Sequence, residues 1–170
     1  FGIMGGLEGV GLLPHAKYFN WKGLGNDGSG STSWLNAGLR WCADVGCQYV
    51  NGSYGGPSGG QADIDAIKYG YSKGIRLYHF AAGNSGYSGK GSTEGYPAKH
   101  GLGGNNGSYD ADGSRSSFSS GGPGVQVLGA GGKIVSTVPG SSVWGVMSGT
   151  SMGSPDVCVK TAAIDLYRTT

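Results

Sequence analysis

The sequence predicts an α/β domain built on a mostly parallel sheet, and three observations carry that prediction. Segments with helical spacing of apolar residues alternate with short apolar runs bounded by glycine. One such run, 75–82, is largely apolar along its length, as a parallel strand covered on both faces should be. The 170 residues and 17.2 kDa suit one hydrophobic core, with no linker or internal repeat to divide it.

Taken in order, residues 15–21 read as a strand following Pro14, and a loop rich in Gly, Asp and Ser runs over 23–30. Ser33 is the expected N-cap of a helix that places Leu35, Leu39, Trp41 and Cys42 on or near one face and ends around Gly46. Gln48-Tyr49-Val50 is a short strand that empties into the loop 51–60. A second helix is expected over 61–73, with Ile64, Ile67 and Tyr71 at i, i+3, i+7 and Gly74 as its stop. The buried strand 75–82 follows. The chain then reads as irregular from 83 to 124, before short strands at 125–128, 133–138 and 143–147. A final helix spans about 151–167, with Val157, Ala162, Ile164 and Leu166 apolar.

Composition excludes several functions. Hydrophobic residues at 37% against 13% charged argue for a packed core rather than disorder. A net charge of +2 without a basic cluster gives no nucleic-acid footprint. No apolar run approaches the roughly 18 residues that span a bilayer. The start at Phe1, without an initiator Met or a basic leader, reads as processed or trimmed. The 38 glycines fall in clusters without a period, which suits either long surface loops or loops that let a ligand approach the backbone. Cys42 and Cys47 are close enough for a local disulfide, whereas buried free thiols are the default for Cys42, Cys47 and Cys158. Asn51 and Asn106 head Asn-Gly-Ser sequons, but Asn51 abuts a buried strand, where glycosylation is not expected.

The chemistry concentrates in a few strings. Ser151 sits where a glycine-rich turn enters a helix. On position alone it is an N-cap, although the free N–H groups and dipole there also favour developing negative charge. Asn84 follows the buried strand, where an amide is either a structural turn residue or a donor aimed at a carbonyl oxygen. Around them, Ser148-Gly149-Thr150-Ser151-Met152-Gly153-Ser154-Pro155 resembles the nucleophile motif of the subtilisin-like serine protease family. Ala81-Ala82-Gly83-Asn84 resembles its oxyanion motif, Ser53-Tyr54-Gly55-Gly56-Pro57 its substrate strand, and Gly95-Tyr96-Pro97-Ala98 the wall of its specificity pocket. Asp27-Gly28-Ser29-Gly30, Ser116-Ser117-Phe118-Ser119-Ser120 and Val135-Ser136-Thr137 fall in family order, so the resemblance covers nearly the whole chain.

The resemblance implies a three-layer subtilisin-like fold with a mostly parallel sheet, here incomplete at both ends. Residues 1–170 would be its central and nucleophile-bearing part. Ser151 would be the nucleophile and Asn84 an oxyanion donor. Ser53, Tyr54, Gly55, Gly56, Ala82, Gly83, Gly95 and Tyr96 would bind an extended polypeptide, with glycines letting it pair as an added strand. The implied function is a serine endopeptidase. Its alternative is a catalytically silent domain serving as a structural or peptide-binding module, for example in a virion or surface assembly. An extracellular or virion-associated setting follows from the same resemblance.

The resemblance also has gaps. The family's Asp, and its His in a His-Gly-Thr-His string, belong upstream of Phe1. His15, His79 and His100 match no family base and read as structural or surface residues, and Asp27, Asp44 and Asp63 have no claim to orient one. Asp156 stands where a His usually follows the motif's Pro, a change that bears on packing more than on chemistry. Residues 102–107 are glycine- and asparagine-rich where relatives carry an apolar strand. The loop 3–9 lacks the Asn of the family's calcium site, so neither a metal nor a cofactor is expected. The chain alone should therefore be inert, because losing triad members lowers rates by roughly 10⁴- to 10⁶-fold. Another chain or further segments should complete and cover it.

Overall fold

The computed structural model describes residues 2–6, 10–138 and 143–169. The element order is α1 (Gly2–Gly5), α2 (Thr32–Asp44), β1 (Tyr49–Gly52), α3 (Gln61–Ser72), β2 (Leu77–Ala81), a 3-10 turn (Ala98–His100), β3 (Gly104–Tyr109), β4 (Val127–Ala130), β5 (Ile134–Thr137), β6 (Trp144–Met147) and α4 (Thr150–Thr169). Strands β1 to β4 form one parallel sheet in sequence order, and β5 and β6 form a separate antiparallel pair. The α/β class with a mostly parallel sheet is thus the observed architecture. Residues 7–9 of the segment compared with a calcium loop lie outside the described residues.

The period-2 alternation of β2 divides the core into two layers. Tyr78 and Phe80 are stacked with 5.8 Å between ring centroids, and they pack with Leu39, Cys42, Ala43, Ala66 and Ile67 of α2 and α3. His79 and Ala81 face the other way, toward α4, whose Val157, Cys158 and Val159 are buried. The sheet therefore lies between α2 and α3 on one side and α4 on the other. Glycine sets the closest approach of α4: a Cβ at Gly129 would come within 2.1 Å of the Gly153 carbonyl oxygen.

Four expectations need correction. Residues 15–21 form no strand; Phe19 and Trp21 instead set their rings against Trp41 of α2. The N-cap of α2 is Ser31, whose hydroxyl accepts from the Trp34 N–H, so Ser33 falls inside the helix. Ile64 and Tyr71 are only half-buried, and the core face of α3 is Asp63, Ala66, Ile67 and Gly70. A strand, β3, runs through the segment read as irregular, with the sequence Gly-Asn-Asn-Gly-Ser-Tyr. Its buried side chains are paired through one end: Asn105 Nδ2 donates to Glu94 Oε1 at 2.6 Å and Ser108 Oγ meets Ser116 Oγ at 2.8 Å, while Oδ1 of Asn105 and of Asn106 has no partner among the described residues.

Candidate active site

The β5–β6 pair returns the chain to the sheet, where the Gly149 N–H donates to the Gly131 carbonyl at 2.9 Å and α4 begins at Thr150. Ser151 is half-buried in the first turn of α4. Its backbone N–H has no acceptor among the described residues, the normal state of a helix's first donors. Ser151 and Ser53 are tied reciprocally: Ser151 Oγ donates to the Ser53 carbonyl at 3.2 Å, and Ser53 Oγ donates to the Ser151 carbonyl at 2.8 Å. The second bond has a cause in the sequence. The Ser151 carbonyl would ordinarily accept from the N–H four residues on, but that residue is Pro155, which has none. The Ser53 hydroxyl fills the place.

Asn84 lies just beyond the C-terminal end of β2. Its side-chain oxygen accepts from the Thr150 N–H at 2.9 Å and from Thr150 Oγ at 3.1 Å, while Thr150 Oγ accepts from the Gly83 N–H at 3.1 Å. With the oxygen held by α4, Nδ2 of this exposed residue has no acceptor among the described residues. Thr150 is buried and directly precedes Ser151. Two uncommitted N–H donors thus sit at the positive end of one helix, a setting that stabilises an oxygen gaining negative charge.

The expected peptide-binding residues converge beside these donors. Gly56 and Tyr96 form an antiparallel bridge, with N–H to carbonyl distances of 3.0 and 2.9 Å in the two directions, and the Gly95 N–H donates to the Ala82 carbonyl at 2.8 Å. This stitches 53–56, 82–84 and 95–96 into one rim. Gly83 has φ of +111°, which favours glycine where the chain leaves β2. Two residues take part only through their backbone. Ala82 is fully buried, and Tyr54 turns its ring into the core against Phe80 at 6.4 Å.

Beneath the rim runs a buried polar chain that pattern reading missed. His79 Nδ1 lies 3.2 Å from Asn106 Nδ2, which donates to Ser154 Oγ at 3.3 Å; Ser154 Oγ donates to Asn51 Oδ1 at 2.8 Å, and Asn51 Nδ2 donates to Ser53 Oγ at 2.9 Å. The path joins the middle of the sheet to the Ser151 carbonyl. Burial pushes the His79 imidazole down to about 4, against a smaller upward effect from Asn106, so it is neutral near pH 7. Both sequon asparagines are committed to this chain.

The histidines stay apart from Ser151. His15 is exposed, and His79 is in the chain just described. His100 Nε2 lies 3.2 Å from Asp63 Oδ2, with its ring edge-on to Tyr96. Burial alone would raise the Asp63 carboxyl, but hydrogen bonds from Asn36, the Gly60 N–H and His100 outweigh it and hold the group below the usual range. Asp63 thereby ties α2, α3 and the 3-10 turn together. No hydrogen bond joins Ser151 to a histidine among the described residues, and no cluster of three metal-ligating side chains occurs among them.

Comparison with known proteins decides the lineage of this arrangement. The model of the subtilase family matches residues 2–166. The chain belongs to the subtilase family. Over 155 residues it is 39% identical to Subtilisin amylosacchariticus of Bacillus subtilis subsp. amylosacchariticus and to Subtilisin DY of Bacillus licheniformis, covering 91% of this chain in each case. It spans 40% of the first relative and 56% of the second. Among solved structures, the S41 psychrophilic protease superposes with a TM-score of 0.81 at 27% identity, covering 95% of this chain and 58% of the other. Sphericase gives 0.81 at 28% identity, covering 91% and 56%.

As a subtilase, the chain departs from the family string at Asp156, and the structure supplies the packing reason. Asp156 is buried, accepts from the Ala130 N–H at 2.9 Å and from Lys160 Nζ at 2.8 Å, and so clamps the end of β4 to α4.

Proposed function

We propose that this chain is the nucleophile-bearing part of a subtilisin-type serine endopeptidase. Ser151 Oγ attacks the peptide carbonyl, and Asn84 Nδ2 with the Ser151 N–H stabilises the tetrahedral oxyanion. An extended polypeptide lies along 53–56 and 95–96, with its side chain directed between them. The observation that supports this reading is the clamp of Thr150, the residue before Ser151, on the Asn84 oxygen, which leaves the amide N–H as the free end of that side chain. A general base and its orienting carboxylate come from outside residues 1–170, since Ser151 Oγ donates to a backbone carbonyl here. The polypeptide substrate and an extracellular setting follow from the family, and neither nucleic acid nor a membrane is a proposed partner. No helix among the described residues is long and apolar enough to cross a bilayer.

The second reading, a catalytically silent subtilase module that binds peptide or serves assembly, is favoured by one observation: the Ser151 hydroxyl is held by Ser53 instead of by a base. Hydrolysis of an unfolded polypeptide by the natural protein separates the two. The endopeptidase reading expects activity that Ser151→Ala abolishes and Asn84→Ala lowers by roughly 100- to 1000-fold in kcat. Peptide binding without hydrolysis would favour the silent module.

A further inference from the structure

The C-terminus of α2 brings two thiols together by backbone geometry alone. The Cys47 N–H donates to the Cys42 carbonyl at 3.0 Å, and the Gly46 N–H donates to the Ala43 carbonyl at 3.1 Å, with Gly46 at φ of +81°. These two bonds define the Schellman ending of a helix, which folds the side chain just past the end back against the one five residues earlier. That contact is usually between apolar groups. Here it is between Cys42 and Cys47, both free thiols and near enough that each alters the other's ionisation.

We propose that Cys42 and Cys47 are a closable dithiol, oxidised to an intramolecular disulfide by exchange with a low-molecular-weight disulfide. Cys47 is half-buried and Cys42 is 8% exposed, so the reagent meets Cys47 first. Cys47 is also the easier of the two to ionise. Burial raises both thiols, but the Cys42 S–H steadies a Cys47 thiolate, while Cys42 itself is pushed up to about 12. The Cys47 thiolate attacks one sulfur of the reagent and displaces a thiolate, leaving a mixed disulfide. Cys42, losing its proton to solvent, then attacks Cys47 Sγ and displaces the second thiolate. The pair loses two electrons, and the reagent, taking up the two protons, becomes two thiols. The bridge would pin the end of α2 to the approach to β1, two residues before Tyr49.

The third thiol supplies the internal control. Cys158 is 1% exposed on α4 and lines the same apolar cavity as the pair, but no helix ending aligns it with either. The experiment exposes the folded protein to oxidised glutathione, alkylates the remaining thiols under denaturing conditions, and maps peptides by mass. A Cys42–Cys47 cross-link with Cys158 alkylated is the expected result. In Cys42→Ser the same exposure should stop at a stable mixed disulfide on Cys47. A wild-type protein that stops at the mixed disulfide, forms a bridge through Cys158, or retains all three thiols after an exposure that oxidises the unfolded chain would overturn the proposal.

Discussion

Ser53 is the residue on which the site turns. Its carbonyl receives the Ser151 hydroxyl, and its own hydroxyl satisfies the carbonyl that Pro155 leaves without a partner. Ser53→Ala strands that half-buried carbonyl, and an acceptor shielded from water and left unsatisfied costs up to about 1–3 kcal/mol. Urea denaturation should show a loss in that range, and a change within error would contradict the compensation. His79 gives a second prediction. Its folded pKa of about 4 lies below the ordinary 6.5, so between those values the unfolded chain binds a proton that the fold excludes. Stability should be intact above pH 6.5, decline as pH falls, and be lower by about 3 kcal/mol near pH 4. The depressed Asp63 carboxyl acts in a lower window, because its stabilisation is lost only as pH falls below the ordinary carboxylate range. Melting curves of His79→Leu should therefore be flatter between pH 6.5 and 4 than those of wild type, and parallel curves would refute the assignment.

At the scale of elements, the packing of α4 on the sheet depends on glycine where two backbones nearly touch. A Cβ at Gly129 would meet the Gly153 carbonyl oxygen at 2.1 Å, a backbone atom that no side-chain rotation can move. Gly129→Ala should cost about 1–3 kcal/mol or more, as overpacking does, and an unchanged denaturation midpoint would contradict the contact. The same elements show what the sequence made legible. The helices α2, α3 and α4 and the strands β1 and β2 were readable because apolar spacing and glycine stops mark them. β3 was not, because Asn105, Asn106 and Ser108 are buried with hydrogen bonds from their amide nitrogens and hydroxyl, which no hydrophobic period announces. The segment 15–21 misled for the opposite reason, since its aromatic rings pack on Trp41 without any strand pairing. Ser151 and Asn84 were legible from their strings. The roles of Thr150, Asn51 and Ser154 were not, because they rest on contacts between residues about 50 to 100 positions apart, as Asn51 and Ser154 illustrate.

At the scale of the molecule, apolar surface gathers on the β5–β6 pair. Val135, Val143, Trp144, Val146 and Met147 are each more than half exposed. A monomer seldom leaves such a patch open, so residues 1–170 made alone should self-associate, and further polypeptide should cover the patch in the working protein. A monomeric, cooperatively unfolding product in sedimentation and calorimetry would contradict this.

The proposed endopeptidase requires that a base outside residues 1–170 reach Ser151 in the natural protein. Labelling that protein with a fluorophosphonate probe, and mapping the adduct against Ser151→Ala, tests it most directly. An adduct on Ser151 that the variant lacks is the predicted result. No adduct on folded protein would contradict the claim and leave this subtilase domain as a silent scaffold.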